Sequence, residues 1–136
     1  FVGGTAPEKW KKLPNTHFLP FQEWEQLKKY YDAADVFAFP TREDIWGLVI
    51  NEAMSRGLPV ITTTRCNAGL ELVEDGRNGY IIPTENVEEL VHKINRVLYE
   101  DDREQMGEEA LRTIRDYTIE KMVESHLERF PGGKNE

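Results

Sequence analysis

Short apolar runs alternate along the chain with longer segments in which apolar residues recur every three or four positions. The short runs are bounded by turn residues and predict β-strands at residues 1–2, 17–19, 35–39, 60–63 and 80–82. The run at 60–63 is rich in β-branched residues and follows Pro59, which makes it the clearest strand in the sequence. Such alternation is typical of α/β proteins, in which helices flank a parallel sheet.

The longer segments predict helices at residues 23–34, 48–56, 86–100, 102–115 and 118–130. Asn86 and Thr118 stand where a helix N-cap is expected, and Gly57 stands where a left-handed residue would end the second helix. We expect one domain over residues 1–130. Residues 131–136 have little apolar surface to bury and are expected to form a disordered tail.

Composition limits the classes of function. The 136 residues are 39% hydrophobic and 31% charged, which predicts a soluble globular domain, and no apolar run approaches the roughly 20 residues of a membrane-spanning helix. A net charge of −8 argues against a nucleic-acid partner and against contact with an anionic membrane. The single cysteine, Cys66, excludes an internal disulfide and fits a reducing compartment, so we expect a cytoplasmic location.

The loop that leads from the strand at 35–39 into the helix at 48–56 is the best candidate for chemistry. Ligands of open parallel sheets bind where strands end and helices begin. The backbone N–H groups of Gly47, Leu48 and Val49 would be free to bind an anion such as a diphosphate, and Gly47 has no side chain to obstruct it. Bulk charge does not favour an anion here, so local geometry must hold it.

Acidic residues lie on both sides of this helix start. Glu52 falls about one turn into the helix on the face opposite the apolar residues, where a carboxylate can accept two hydrogen bonds from a vicinal diol such as a ribose. A surface ion pair between Glu52 and Arg56 explains the same spacing without a ligand. Glu43 and Asp44 are equally compatible with a solvated loop beside the helix dipole. The spacing alone leaves both interpretations open.

The segment DVFAFPTREDIWGLVINEAMSRGLPVITT resembles the donor-binding signature of retaining GT-B glycosyltransferases of the glycogen-synthase-like kind, glycosyltransferase family 4. That family has an acid separated by seven residues from a Glu-Ala-Met sequence, followed by Gly-x-Pro-Val. Asp44, Glu52 and the Gly57 to Val60 run match this pattern, with Trp46 in the aromatic position. The similarity extends over residues 1–130.

The resemblance implies a role for each of these residues in binding a nucleotide-sugar donor. Glu52 would hold the ribose, the amides of Gly47, Leu48 and Val49 would hold the diphosphate or the donor sugar, and Trp46 would line the donor site. Asp44 would lie beside the donor sugar in place of the family's usual glutamate, with Glu43 as a possible substitute. Leu19 would border the nucleobase. The nucleotide-sugar is a substrate, so no cofactor and no metal are expected.

The resemblance also implies a fold: a Rossmann-like parallel sheet flanked by helices, the C-terminal half of a GT-B fold, incomplete at its N-terminus. The family's acceptor-binding N-terminal domain would be the partner of this half, and the acceptor would be a glycan or a lipid-linked saccharide. Without that domain we expect the chain to transfer no sugar. Beside the strand at residues 1–2 we expect either a gap in the sheet or a strand borrowed from another copy. The alternative is a non-catalytic α/β module that binds nucleotides or acts as a receiver-like regulator.

Overall fold

The computed structural model describes residues 1–129, without the side chains of residues 119, 122 and 129. The chain forms two compact units, Phe1–Ala33 and Ala34–Glu136. Residues 130–136, which include the expected disordered tail, lie outside the described residues.

The second unit contains a parallel sheet of three strands, β1 (Phe37–Phe39), β2 (Val60–Thr63) and β3 (Gly79–Ile82), in that order. The six helices of the described chain are α1 (Trp24–Asp32), α2 (Leu48–Ser55), α3 (Asn67–Leu72), α4 (Val87–Tyr99), α5 (Arg103–Ile114) and α6 (Ile119–Arg129), of which α1 belongs to the first unit. Each strand is followed by a helix, which is the arrangement that the alternating pattern predicted. Within the described residues, no helix has the length and apolar character needed to cross a membrane.

The core of the second unit lies on the central and last strands. All four residues of β2 are buried, and Ile61, Tyr80 and Ile82 pack with Val97 of α4 and Met106 of α5. Each fully buried apolar side chain of this size stabilises the fold by about 1.5–3 kcal/mol. The strand β1, which leads into the loop at residues 40–47, is itself only partly buried and is held by its pairing with the buried β2.

Several helix ends follow the sequence predictions. The Asn86 side chain accepts a hydrogen bond from the Glu89 N–H at 3.0 Å, and Thr118 Oγ1 accepts one from the Lys121 N–H at 3.3 Å. Gly57 follows α2 with a φ of +72°. These three predictions are confirmed because each rests on local chemistry at a helix terminus.

Residues 67–72 form α3, which is absent from the predicted helices. A helix of six residues is too short to display an apolar period of its own. In the first unit, the predicted strands at 1–2 and 17–19 reduce to a single parallel bridge between Val2 and Leu19. Two residues are too few to build a ladder, and the stacked rings of Phe1 and Phe18, 4.9 Å apart, supply contacts there instead. The gap or borrowed strand expected beside residues 1–2 stays a prediction.

Candidate functional site

The loop of residues 40–47 starts at the carboxyl end of β1 and is fastened to the neighbouring strand. Thr62 Oγ1 donates to the Phe39 carbonyl at 3.0 Å, and Thr63 Oγ1 donates to the Thr41 carbonyl at 2.7 Å. Both threonines are fully buried on β2. Because buried hydroxyls need partners, these bonds hold the start of the loop at the edge of the sheet where ligands of parallel sheets bind.

The two acids of the loop have different surroundings. Asp44 is half-buried; its Oδ1 accepts the Trp46 N–H at 3.1 Å, and its own N–H donates to the Arg65 carbonyl at 3.0 Å. Glu43 is exposed and pairs with the Arg65 guanidinium at 3.3 Å. An exposed pair of this kind contributes about 0–1 kcal/mol and exchanges readily. Asp44 is therefore the acid that the fold holds in a defined position.

Trp46 lies at the end of the loop, just before the N-cap of α2, with about a third of its surface exposed. Its indole N–H donates to the Asn51 side chain at 3.0 Å, which ties the ring to the first turns of α2. This hydrogen bond fixes the orientation of the partly exposed indole ring. Trp46 was predicted as a site residue from the sequence. Asn51 was not, because a polar residue on a helix face gives no signal of what it binds.

Gly47 is the N-cap of α2 and adopts a left-handed conformation with φ +95°. A Cβ atom here would lie 2.6 Å from Cys66 Sγ, and Cys66 is fully buried with its thiol donating to the Trp46 carbonyl at 3.2 Å. From the sequence, a glycine was expected here because it lets a ligand approach the backbone closely. The structure gives a different reason, since both the conformation and the space below exclude a side chain.

The start of α2 suits an anion. Helix geometry leaves the N–H groups of Leu48 and Val49 without intrahelical acceptors, and the first turn of α2 contains no acidic residue. The Leu48 side chain is 68% exposed, so this end of the helix faces the solvent. An incoming anion would meet backbone donors and no competing carboxylate on the first turn.

Glu52 lies one turn further along α2. The helical period predicted that the apolar residues of α2 share one face. This is confirmed, because Ile50, Ala53 and Met54 are fully buried while Ser55 and Arg56 are exposed. Glu52 itself is half-buried. The structure thus brings Glu43, Asp44, Trp46, Gly47, Leu48, Val49 and Glu52 together on one loop and the helix that follows it.

Leu19 belongs to the first unit. An open cavity of about 480 Å³ lies there, lined by Leu19 with both of its chain neighbours, by residues 4–6, and by Lys11, Thr16 and His17. The Leu19 N–H donates to the Phe1 carbonyl at 2.8 Å, and its carbonyl accepts the Gly3 N–H at 3.0 Å. The backbone of Leu19 is therefore fixed at the wall of a cavity.

Residues 8–113 match the protein family described as Glycosyl transferases group 1. The chain belongs to this family of glycosyltransferases. The resemblance drawn from the donor-binding signature is thereby confirmed at the level of the family, and a receiver-like regulator is not favoured.

Comparisons with individual glycosyltransferases agree with this assignment. An uncharacterized glycosyltransferase of Haemophilus influenzae is 31% identical over 112 residues, which cover 81% of this chain and 31% of the relative. The sucrose-phosphate synthase of Thermosynechococcus elongatus has a similar structure, with a TM-score of 0.81, 22% identity, and coverage of 98% of this chain and 38% of that one. The Anabaena protein HepE, in a complex with UDP, gives a TM-score of 0.69 at 28% identity over 82% of this chain and 32% of its own.

These likenesses establish the fold and the extent of the match. The parallel sheet flanked by helices is that of the C-terminal half of GT-B glycosyltransferases, as the sequence predicted. The chain spans about a third of the length of the relatives it matches. The α2 helix start and the loop before it lie within the matched region.

Proposed function

We propose that this chain is the donor-binding part of a glycosyltransferase that moves a sugar from a nucleotide-sugar to an acceptor. The observation that carries the proposal is the arrangement at the carboxyl edge of the sheet: a fixed acid, a helix start rich in free amides, and a second acid one turn later. Family membership supports the reaction class, and the UDP bound by the relative HepE supports a nucleotide donor.

The ribose, the diphosphate and the sugar of the donor each have a partner in this arrangement. Glu52 accepts two hydrogen bonds from the ribose diol, and the amides of Gly47, Leu48 and Val49 bind the diphosphate. Asp44 faces the donor sugar, and the Trp46 ring lines the same side. Leu19 belongs to the first unit, and its contact with the nucleobase stays a prediction. Glu43 is the weaker candidate for the acid beside the donor sugar, since it is exposed and paired with Arg65.

Transfer proceeds with retention in this proposal. The acceptor attacks from the face that the diphosphate leaves, the departing diphosphate helps remove the acceptor proton, and fixed groups stabilise the developing charge. The acceptor, a glycan or a lipid-linked saccharide, is held by a partner domain of the N-terminal GT-B type. We expect the 136-residue chain to bind donor and to leave it unconsumed; the anomeric configuration of the product, read by NMR from the whole enzyme, tests retention.

The ribose role of Glu52 is tested by titrating the chain with UDP-, GDP- and ADP-sugars in a calorimeter. We expect one of the three to bind, and we expect Glu52→Gln to weaken that binding about 10- to 100-fold, because a hydrogen bond to a charged group contributes about 1.5–3 kcal/mol. Glu108→Gln is the matched control, since Glu108 is an exposed glutamate within α5. Equal affinity for the two variants would remove Glu52 from the site.

A further inference from the structure

Three consecutive carbonyl groups of the 40–47 loop accept hydrogen bonds from the start of α3. The Asn67 N–H donates to the Asp44 carbonyl at 3.5 Å, and the Asn67 side-chain Nδ2 donates to the Ile45 carbonyl at 2.7 Å. The Ala68 N–H donates to the Trp46 carbonyl at 2.7 Å. This face of the loop is therefore turned towards α3 at three successive peptides.

The opposite face of the loop presents donors. In a trans peptide the N–H points away from the carbonyl of the preceding residue, and the described chain has no cis peptide bond. The N–H groups of Ile45, Trp46 and Gly47 consequently point away from α3. The Trp46 N–H is accepted by the Asp44 carboxylate, which places that carboxylate on the same side. One side of the loop thus carries carbonyls held by α3, and the other carries amides and an acid.

We propose that Asn67 is a positioning residue for the donor. This inference rests on the proposed function, in which the amides bind the diphosphate and Asp44 faces the sugar. The Asn67 carboxamide holds the peptide between Ile45 and Trp46 in the orientation in which the Trp46 N–H donates to the Asp44 carboxylate. Without this donor the Ile45 carbonyl can rotate to the face of the loop that carries the amides, where its oxygen repels a diphosphate, and the Trp46 N–H then turns away from Asp44. Asn67 acts through the loop and does not touch the donor.

The test compares two variants that remove the side-chain donor, Asn67→Ala and Asn67→Leu, the second being close to asparagine in size. Asn67 is exposed, so neither change empties the core. The control is Asn78→Ala, because Asn78 is a buried asparagine whose Nδ2 also donates to a backbone carbonyl, that of Leu72 at 3.0 Å. It is expected to lower stability more than either Asn67 variant.

The probe is whichever of UDP, GDP and ADP binds the unaltered chain most tightly. We expect both Asn67 variants to bind it about three- to tenfold more weakly, the effect of losing one net hydrogen bond, and Asn78→Ala to bind it unchanged below its unfolding temperature. The amide resonances of Ile45 and Gly47 should shift on nucleotide addition in the unaltered chain and in Asn78→Ala. In both Asn67 variants these shifts should be reduced.

The outcomes separate this inference from the proposed function. If the unaltered chain binds none of the three nucleotides, the proposed function is wrong, and the positioning role is overturned with it. If the unaltered chain binds and the Asn67 variants bind equally well, or lose no more affinity than Asn78→Ala, the positioning role alone is wrong. Dispersed amide resonances outside the loop establish that each variant is folded.

Discussion

Two properties of its surroundings require glycine at position 47. The backbone is left-handed there, and Cys66 Sγ fills the space that a Cβ atom would take. This residue joins the loop that carries Asp44 to the helix that carries Glu52. The requirement for glycine at this position is therefore structural, and it fixes the path of the chain between the two acids.

Replacing Gly47 by alanine should lower the free energy of unfolding by about 2 to 4 kcal/mol, from the left-handed strain and the contact with Cys66 together. Denaturant unfolding measures this loss. Adding Cys66→Ala to Gly47→Ala should recover the part due to the contact and leave the strain. Gly4→Ala is the control, because nothing lies within 4 Å of a Cβ at Gly4. Gly47→Ala as stable as Gly4→Ala would contradict the packing described above.

Asn78 is a polar residue in the fully buried part of the molecule. Its Nδ2 donates to the Leu72 carbonyl at 3.0 Å and to Thr113 Oγ1 at 3.1 Å, and its Oδ1 accepts the Glu74 N–H at 2.8 Å. One side chain thereby connects the end of α3, the turn before β3, and α5. In the sequence Asn78 stands among residues typical of turns, at 74–79, where asparagine ordinarily faces the solvent.

Asn78→Ala should destabilise the protein by about 2 to 3 kcal/mol, because it leaves buried backbone groups without partners. The quantity to measure is the midpoint of urea unfolding at constant slope. Asn95→Ala on the exposed face of α4 is the control and should change stability by less than about 0.5 kcal/mol. A loss no larger than that of the control would mean that the Asn78 bonds contribute nothing net.

At the scale of elements, Tyr80 of β3 contacts side chains of α4 and so connects the strand to this helix. The Tyr80 hydroxyl donates to Asp101 at 2.7 Å, and the Lys93 ammonium and Arg96 guanidinium lie 4.4 and 5.3 Å from the centre of its ring. Asp101 also accepts from Arg96 at 3.0 Å. Burial, and then the hydrogen bond to Asp101, raise the pKa of Tyr80 to about 12.

This raised pKa makes the junction sensitive to alkali. The folded protein keeps the Tyr80 proton at pH values where the unfolded chain, with an ordinary pKa of 10, has lost it. The contribution of Tyr80 to stability is therefore complete below pH 10 and is lost as the pH rises to about 12. Tyr80→Phe should show a shallower fall in unfolding free energy over this range. Identical pH profiles for the two proteins would contradict the assignment.

The elements differ in how far the sequence predicts them. The bounds of β2 were predicted to the residue, because a β-branched run after a proline specifies a buried strand by itself. The helix α3 was missed, since six residues are too few to show a helical period. Asn51 was missed because a polar residue on a helix face gives no signal of the group that it bonds. The order of the acids could be read from the chain, whereas the hydrogen bond of Asn67 could not, because its partner Ile45 lies 22 positions away in sequence.

At the scale of the whole molecule, the net charge of the chain and the charge of the proposed ligand are both negative. The chain has 25 acidic and 17 basic residues, so a diphosphate gains nothing from the overall field. The first turn of α2 lacks an acid, and the loop turns its amides outward beside it. Local backbone geometry is the means by which an acidic protein can bind an anionic donor.

The location of the nucleotide tests the central claim most directly. Amide resonances of the isotope-labelled chain are recorded while UDP, GDP or ADP is added, and the shifts are mapped onto the second unit. The largest shifts should fall on Ile45 to Glu52, at the carboxyl edge of the sheet. The opposite edge carries an open cavity of about 570 Å³ lined by Asp35, Pro59 and Arg103 among others. Shifts centred on that cavity, or none with any of the three nucleotides, would contradict the account.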